Sequence, residues 1–506
     1  MLGRPEWETG GVAQKNQKPL RSRAPESTAF HNFMTTGWAE SHAPQSGPHE
    51  VAPFAAIRRK TFLDSLAELP EDAVIIVPAG ARKQRSNDTD FPYRPHSAFS
   101  YLTGWGSSAT PESILRIEQS SSDSPVVLYA RGPADRTSDE FYASAELGEF
   151  WTGPRPHLED ISKSLGLEVR PLEQWDGIAE DDLQRTLIID DGDPLLTARV
   201  MARRTKKLGV KKAAALIDSD ATVARLLSEM RFVKDAWEIE QMRLAVAATH
   251  RGFDDIIGAI PQAIGEPRGE RIIEGVFGAR ARLEGHDVGY GTISASGPHA
   301  CILHWVNNDG PVTAGDLLLV DAGIELDSLY TADITRTVPV SGRFTDQQRM
   351  VYEAVLEAAD YAMSKVRPGV PFRAIHDAAM EVIAAHVERW GFLPVPLDEA
   401  LSKEGGQHRR YMIHGTSHHL GLDVHDCAKA RREMYVDQEL KPGMVFTIEP
   451  GLYFQPDDLT VPEQWRGIGV RIEDNILVTD DSYENLSAGI PRSVAEVETW
   501  LARSAS

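Results

Sequence analysis

Four carboxylates and one histidine-rich string carry the chemistry of this sequence. Asp321, Asp333, Glu449 and Glu473 are each the polar residue in, or just beyond, a run that otherwise reads as buried strand or tight loop. The string HGTSHHLGLDVHD at 414–426 holds four histidines, His414, His418, His419 and His425. A charge placed in a core costs several kcal/mol unless something pairs with it. Four carboxylates bring four negative charges, and two divalent cations would cancel them. Carboxylate oxygens with an imidazole form a hard, oxygen-rich donor set that suits manganese best and also accepts cobalt, iron or zinc. A two-metal centre of this kind bridges a water, lowers its pKa to supply hydroxide at neutral pH, and polarises a carbonyl. The implied reaction class is amide hydrolysis.

Those residues need elements to bring them together. LLLVDAGIELDSLYTADITRTV at 317–338 reads as a hairpin, with Asp327 and Ser328 at its middle, where turn residues belong. Asp321 and Asp333 each lie six residues from Asp327, so antiparallel pairing is expected to set them opposite each other. In GVRIEDNILV at 469–478, alternation puts Val470 and Ile472 on one face and Arg471 with Glu473 on the other. MVFTIEP at 444–450 is a strand that Pro450 stops just after Glu449. The residues alone do not choose among the histidines.

The rest of the chain supplies the frame. At 506 residues it is expected to split into domains. Residues 1–50, rich in Pro, Ser, Thr, Gln and His, read as a disordered or loosely held tail. They contain no apolar signal core. Residues 51–222 alternate helix with strands at 73–80 (AVIIVPAG), 113–117, 125–130 and 186–195, the pattern of an α/β domain. Residues 223–506 open with a long amphipathic helix at 231–260 and a second at 269–284. GTISASG, ACILHWV and DLLLVDAGIEL then read as strands, helices follow at 347–366 and 373–391, and two more strands close an α+β domain. A net charge of −22 argues against nucleic acid or an anionic membrane as partner. The basic run at 203–212 reads as a solvated helix or turn. No stretch reaches the roughly 18 apolar residues that span a bilayer. Cys301 and Cys427, the only cysteines, read as small buried side chains and imply no disulfide framework, as in the cytoplasm.

The strings CILHWVNN, LLLVDAG, ADITRT, HGTSHHLGLDVHD, MVFTIEPGLY and RGIGVRIEDNILVT resemble those of the pita-bread metallopeptidases, specifically the Xaa-Pro aminopeptidase (aminopeptidase P) and prolidase branch. PYRPHSAFSYLTGW at 92–105 is similar to a string in the aminopeptidase P amino-terminal domain. The resemblance implies a creatinase-like α/β domain followed by a pita-bread catalytic domain. It also implies release of the first residue from peptides with proline second, through attack of a metal-bridging hydroxide. Asp321 would bind one metal, Asp333 and Glu473 would bridge two, and His418 and Glu449 would complete the other. His414 and His425 would contact the substrate carbonyl or the transition state. His304 would sit by the scissile bond or the proline ring, Arg471 would orient carboxylates, and Tyr453 would help wall the proline pocket. Glu449 is also expected to shuttle a proton. Two ions, Mn2+ before Co2+ or Zn2+, and a homodimer or homotetramer are implied as well. Ala98 stands where relatives often carry an acid. The alternatives are a prolidase confined to Xaa-Pro dipeptides and a metal-free peptide-binding protein of the same fold.

Overall fold

The computed structural model describes residues 24–25, 27–39, 49–118 and 125–504. Val74–Pro78 is apolar throughout and buried on both faces, which makes it an interior strand of its sheet. It pairs antiparallel with Ile114–Glu118 and parallel with Thr186–Ile188. Val126–Ala130 and Glu168–Pro171 extend the sheet beyond Ile114–Glu118. Helices Ala52–Ser65, Ser97–Thr103 and Val210–Met230 supply apolar side chains to this layer. This is the α/β unit expected for the first half. The helix Val210–Met230 runs through position 222, where the sequence reading set its division. Within the basic run, Arg204 is fully buried against Asp220 at 2.5 Å, while most of the neighbouring basic side chains are exposed.

Part of the expected loose tail is held. Ser27 caps the helix Thr28–Met34, and Phe30 and Met34 pack on Phe141 and Tyr142. Most of residues 1–48 lies outside the described set.

The second half begins where Asp235 and Glu238 form a reciprocal cap, which sets the start of the helix at Ala236 rather than 231. That helix, Ala236–Ala263, packs along Gly269–Glu284. Two three-stranded antiparallel sheets follow. One orders Ile334–Pro339, Leu317–Ala322 and Ile293–Ser296. The other orders Val445–Ile448, Asp474–Val478 and Tyr483–Asn485, and Gly451–Tyr453 pairs with Gly469–Arg471 beside it. The sheets join at one seam: the Glu473 N–H donates to Thr335 O at 3.1 Å, and the Thr337 hydroxyl donates to Arg471 O at 2.9 Å. Helices Asp346–Met363 and Arg373–Arg389 contribute to the core behind the sheets. ACILHWV is not a strand. Its first residues close a short 3-10 turn, Gly297–Cys301, and the rest is an irregular loop. Both cysteines are buried and free.

Candidate metal centre

The seam brings the acidic residues of both sheets to one spot. Asp321 sits near the end of the strand Leu317–Ala322 and Asp333 immediately before Ile334. They are not directly opposite, as the symmetry about Asp327 predicted; Asp321 pairs with Thr335, a shift of two residues. The turn is a three-residue loop, Asp327 to Leu329, closed by Leu329 N–H to Leu326 O at 2.8 Å, with Leu329 left-handed at φ 71°. The turn is centred on Ser328 rather than Asp327, and moving the centre by one residue moves the pairing by two. A two-residue shift preserves the face, so the carboxylates remain diagonal neighbours. Tyr290 clamps them together, its hydroxyl lying 2.6 Å from Asp321 Oδ1 and 2.5 Å from Asp333 Oδ1.

The other sheet supplies the remaining donors. Glu449 ends Val445–Ile448, and its N–H is held by Thr416 O at 2.9 Å. His418 is fixed from both sides of its backbone: its N–H donates to Thr447 Oγ1 at 3.1 Å, and its carbonyl accepts from Thr447 N–H at 2.9 Å. Its Nε2 lies 3.2 Å from Asp333 Oδ2 and 3.5 Å from Glu449 Oε1. Donor atoms of Asp333, His418 and Glu473 all fall within 4.8 Å of one another. Glu473 Oε2 accepts from the Thr335 hydroxyl at 2.7 Å, whereas Oε1 is buried with no hydrogen-bond partner. A buried carboxylate oxygen without a donor is costly, and a cation satisfies it. The shared face of Arg471 and Glu473 holds as expected. Arg471 Nη2 lies 2.5 Å from Asp321 Oδ2, and its Nε donates to Thr335 Oγ1 at 3.1 Å.

The proton affinities carry the same message. Burial, with Asp333, Glu449 and Asp321 nearby, drives Glu473 well above the usual carboxylate range. Burial raises Asp333 too. Glu449 is pushed up to about 7, first by burial. Burial alone would lower His418, but its bond to Asp333 and the charge of Glu449 carry it up to about 9. Four carboxylates with one guanidinium leave a surplus of negative charge, which protons cover and divalent cations would replace. The residues therefore fit a divalent centre.

A cavity of about 610 Å³ opens on this cluster, and His304, His414, His425, Arg471, Leu303, Val306 and Val424 are among the side chains in its wall. His414 Nε2 is 2.8 Å from the Tyr453 hydroxyl, and burial next to Arg471 lowers its pKa to about 3, so its imidazole is neutral. The His425 ring meets His418 edge-on, centroids 4.5 Å apart. Tyr453 does not line the cavity. It is buried behind His414 and Arg471, and its hydroxyl joins them, with Arg471 Nη1 at 3.0 Å. The reason is register: Tyr453 pairs with Gly469, which puts its ring among Ile293, Ala295 and Leu319. Sequence reasoning missed Tyr290, Thr335 and Asn475, whose amide holds the Asp333 backbone from both sides. A tyrosine between two glycines, GYG at 289–291, was the available signal for the first.

Comparison with known proteins agrees with this geometry. Residues 240–480 match the model "Metallopeptidase family M24", and residues 55–188 match "Aminopeptidase P, N-terminal domain". The chain is 46% identical to Xaa-Pro aminopeptidase 2 of Streptomyces coelicolor over 94% of its own length and 97% of the relative's. The chain belongs to the Xaa-Pro aminopeptidases of metallopeptidase family M24. Xaa-Pro aminopeptidase of Escherichia coli is 32% identical over 88% of this chain and 96% of its own. Among solved structures, aminopeptidase PepP of Pseudomonas aeruginosa superposes with a TM-score of 0.76 at 31% identity, covering 90% of this chain and 99% of that one. An Escherichia coli aminopeptidase P variant in complex with substrate gives 0.75 at 28% identity, covering 91% and 100%. The protein is thus a hydrolase with an aminopeptidase P amino-terminal domain and a pita-bread catalytic domain, in a family that uses divalent metal ions. Among the described residues, no helix is long and apolar enough to cross a membrane.

Proposed function

We propose that this chain releases the amino-terminal residue from peptides with proline in the second position, Xaa-|-Pro, using two divalent cations. The observation that carries the reading is the convergence of Asp321, Asp333, His418, Glu449 and Glu473 on one cavity, with Glu473 Oε1 lacking a partner. Those five residues hold the ions, with Mn2+ favoured by the oxygen-rich donor set. When bound, the ions lower the pKa of water to furnish hydroxide and polarise the scissile carbonyl. His414, neutral in its half-buried setting, and His425 present imidazoles to the substrate carbonyl. Tyr453 acts through His414 and Arg471 rather than by touching the ring of the substrate.

Proline makes a tertiary amide without an N–H. A site for it needs a wall that expects no donor there, and Leu303, Val306 and Val424 supply apolar surface beside His304. Collapse of the tetrahedral species requires a proton on the prolyl nitrogen. Glu449 takes a proton from the attacking water at Oε2 and returns it to that nitrogen. Among the cavity-lining residues the one guanidinium, Arg471, is already bonded to Asp321, Tyr453 and Thr335, and no lysine lines it. A dipeptide carboxylate finds no free Arg or Lys there, which favours longer peptides over prolidase substrates. The free, buried cysteines suit the cytoplasm, and the family resemblance suggests a homodimer or homotetramer.

The test is paired cleavage of Xaa-Pro-Yaa and Xaa-Ala-Yaa peptides, with and without chelator. The proline peptide is expected to be cut at least about 100-fold faster, and chelator to abolish the reaction. Equal cleavage of the alanine peptide would overturn the proline reading, and cleavage restricted to Xaa-Pro dipeptides would favour the prolidase.

A further inference from the structure

Glu270 lies outside the metal centre, in the first turn of the helix Gly269–Glu284, and is fully buried. Its carboxylate meets four nitrogens. Oε1 accepts from the Ser296 N–H at 2.8 Å and from His299 Nδ1 at 2.8 Å. Oε2 accepts from Trp305 Nε1 at 2.8 Å and from the Gly310 N–H at 2.7 Å. All four belong to one segment, 296–310, the strand end, 3-10 turn and irregular loop that carry Leu303, His304 and Val306 into the cavity wall. Ser296 and Gly310 are the two ends of that loop, and Trp305 is the residue after His304. The Trp305 ring stacks on His299 with centroids 3.9 Å apart. A Cβ at Gly310 would lie 2.8 Å from Glu270 Oε2 and 2.5 Å from the His299 ring, so only glycine lets this end of the loop approach.

We propose that Glu270 is a positioning residue for the reaction. It ties both ends of the 296–310 loop and its midpoint to the helix, and so fixes where His304 and Val306 stand at the scissile bond. Between Ser296 and Gly310 the segment makes no strand pairing and His304 is exposed, so its place depends on these anchors together with the bonds of Asn308 to Ser294 N–H and Thr292 O and of Gln455 to Cys301 O. A carboxylate is the side chain that serves four donors at once, because an amide offers one acceptor oxygen and points an N–H at two of them. Misplacing a catalytic group by about 1 Å costs up to roughly 100-fold in rate.

The inference rests on the role given above to His304, and the test separates the two. Glu270→Gln is made in the unmodified enzyme and in His304→Ala, and kcat and KM are read for an Xaa-Pro-Yaa peptide. Hydrogen exchange is followed over 296–310. Glu270→Gln is expected to lower kcat/KM about tenfold in the first background and less than about twofold in the second, since coupled residues are not additive. Exchange should rise within 296–310 and not at the metal ligands. If His304→Ala is itself silent, the reading of His304 fails. If His304→Ala is impaired but the two losses multiply, or exchange rises everywhere, Glu270 is merely structural and the proposal is overturned. Should Glu270→Gln fail to fold, Trp305→Phe, which deletes one of the four donors and keeps the stacked ring, is read in the same two backgrounds. A loss of about threefold that vanishes in His304→Ala supports the proposal, and equal losses in both overturn it.

Discussion

Glu449→Gln is expected to lower kcat on an Xaa-Pro-Yaa peptide by about a thousandfold, the range for removing a general acid and base. The substitution keeps shape and volume at the end of Val445–Ile448 and keeps an oxygen facing His418. What it removes is the ability to hold and release a proton. In the cation-free protein Glu449 titrates near 7, because burial raises it and Asp333 adds to the effect, while His418 pulls it down. Bound cations lower that value and leave a carboxylate ready to accept a proton. The backbone around Glu449 is held by Thr416 O independently of the side chain, so the fold should persist. Thermal unfolding and cation content check that point. A variant that retains both ions and turns over within about tenfold of the parent would remove Glu449 from the proton path.

The second large effect is on stability against pH. In the cation-free protein His418 titrates at about 9 instead of 6.5, held by Asp333 and Glu449. The folded value lies above the unfolded one, so this contribution is complete below about 6.5 and is lost as pH rises through 9. It amounts to roughly 3 kcal/mol. Glu449, raised to about 7, works in the same direction, its contribution disappearing between about 4.5 and 7. His414 and His419, both pressed down to about 3 chiefly by burial, work in the opposite direction. Their contribution is lost only as pH falls below 6.5, so it is flat across the alkaline window. The chelated protein is therefore expected to lose several degrees of melting temperature from pH 6.5 to 9. Cations bind the deprotonated site and displace those protons, so the protection given by Mn2+ should widen over the same interval. Melting curves with chelator and with saturating Mn2+ measure it. A gap that stays constant with pH would mean that the cations do not bind at His418 and the carboxylates.

Much of this site was legible in the sequence because its residues violate the apolar pattern around them. Arg471 and Glu473 follow from simple alternation in one strand, and their shared face needs no tertiary information. The Asp321–Asp333 pair was legible as a pair and illegible as a register. The turn that shifts it puts Leu329 in a left-handed conformation that leucine does not signal. That conformation is held from elsewhere in the chain. Leu329 is fully buried, the Ser107 N–H donates to Asp327 O at 2.8 Å, and a Cβ on Gly106 would sit 2.1 Å from that oxygen. The amino-terminal domain thus shapes the hairpin of the metal site, a contact across more than 200 residues that no local pattern contains. Arg94 adds to it by pairing with Glu325 at 2.7 Å.

The strand expected at 300–306 failed for a related reason. ACILHWV has strand composition, yet its Trp305 and the flanking Ser296, His299 and Gly310 donate to Glu270, a partner whose role lies in its burial and not in its neighbours in sequence. Tyr453 was misplaced as a pocket wall because its pairing with Gly469 decides which way the ring faces. Among the histidines, the choice of His418 came from the resemblance. The structure adds its physical basis, the double tether to Thr447 that aims Nε2 at Asp333 and Glu449.

The most direct test is to count ions. Chelated protein dialysed against excess Mn2+ and analysed for metal should hold two ions per chain, and Glu473→Gln, which removes the carboxylate whose buried oxygen lacks a donor, should hold at most one. Binding of no ion by the unmodified chain, or two by the variant with undiminished affinity, would contradict the claim that these carboxylates are assembled around a pair of divalent cations.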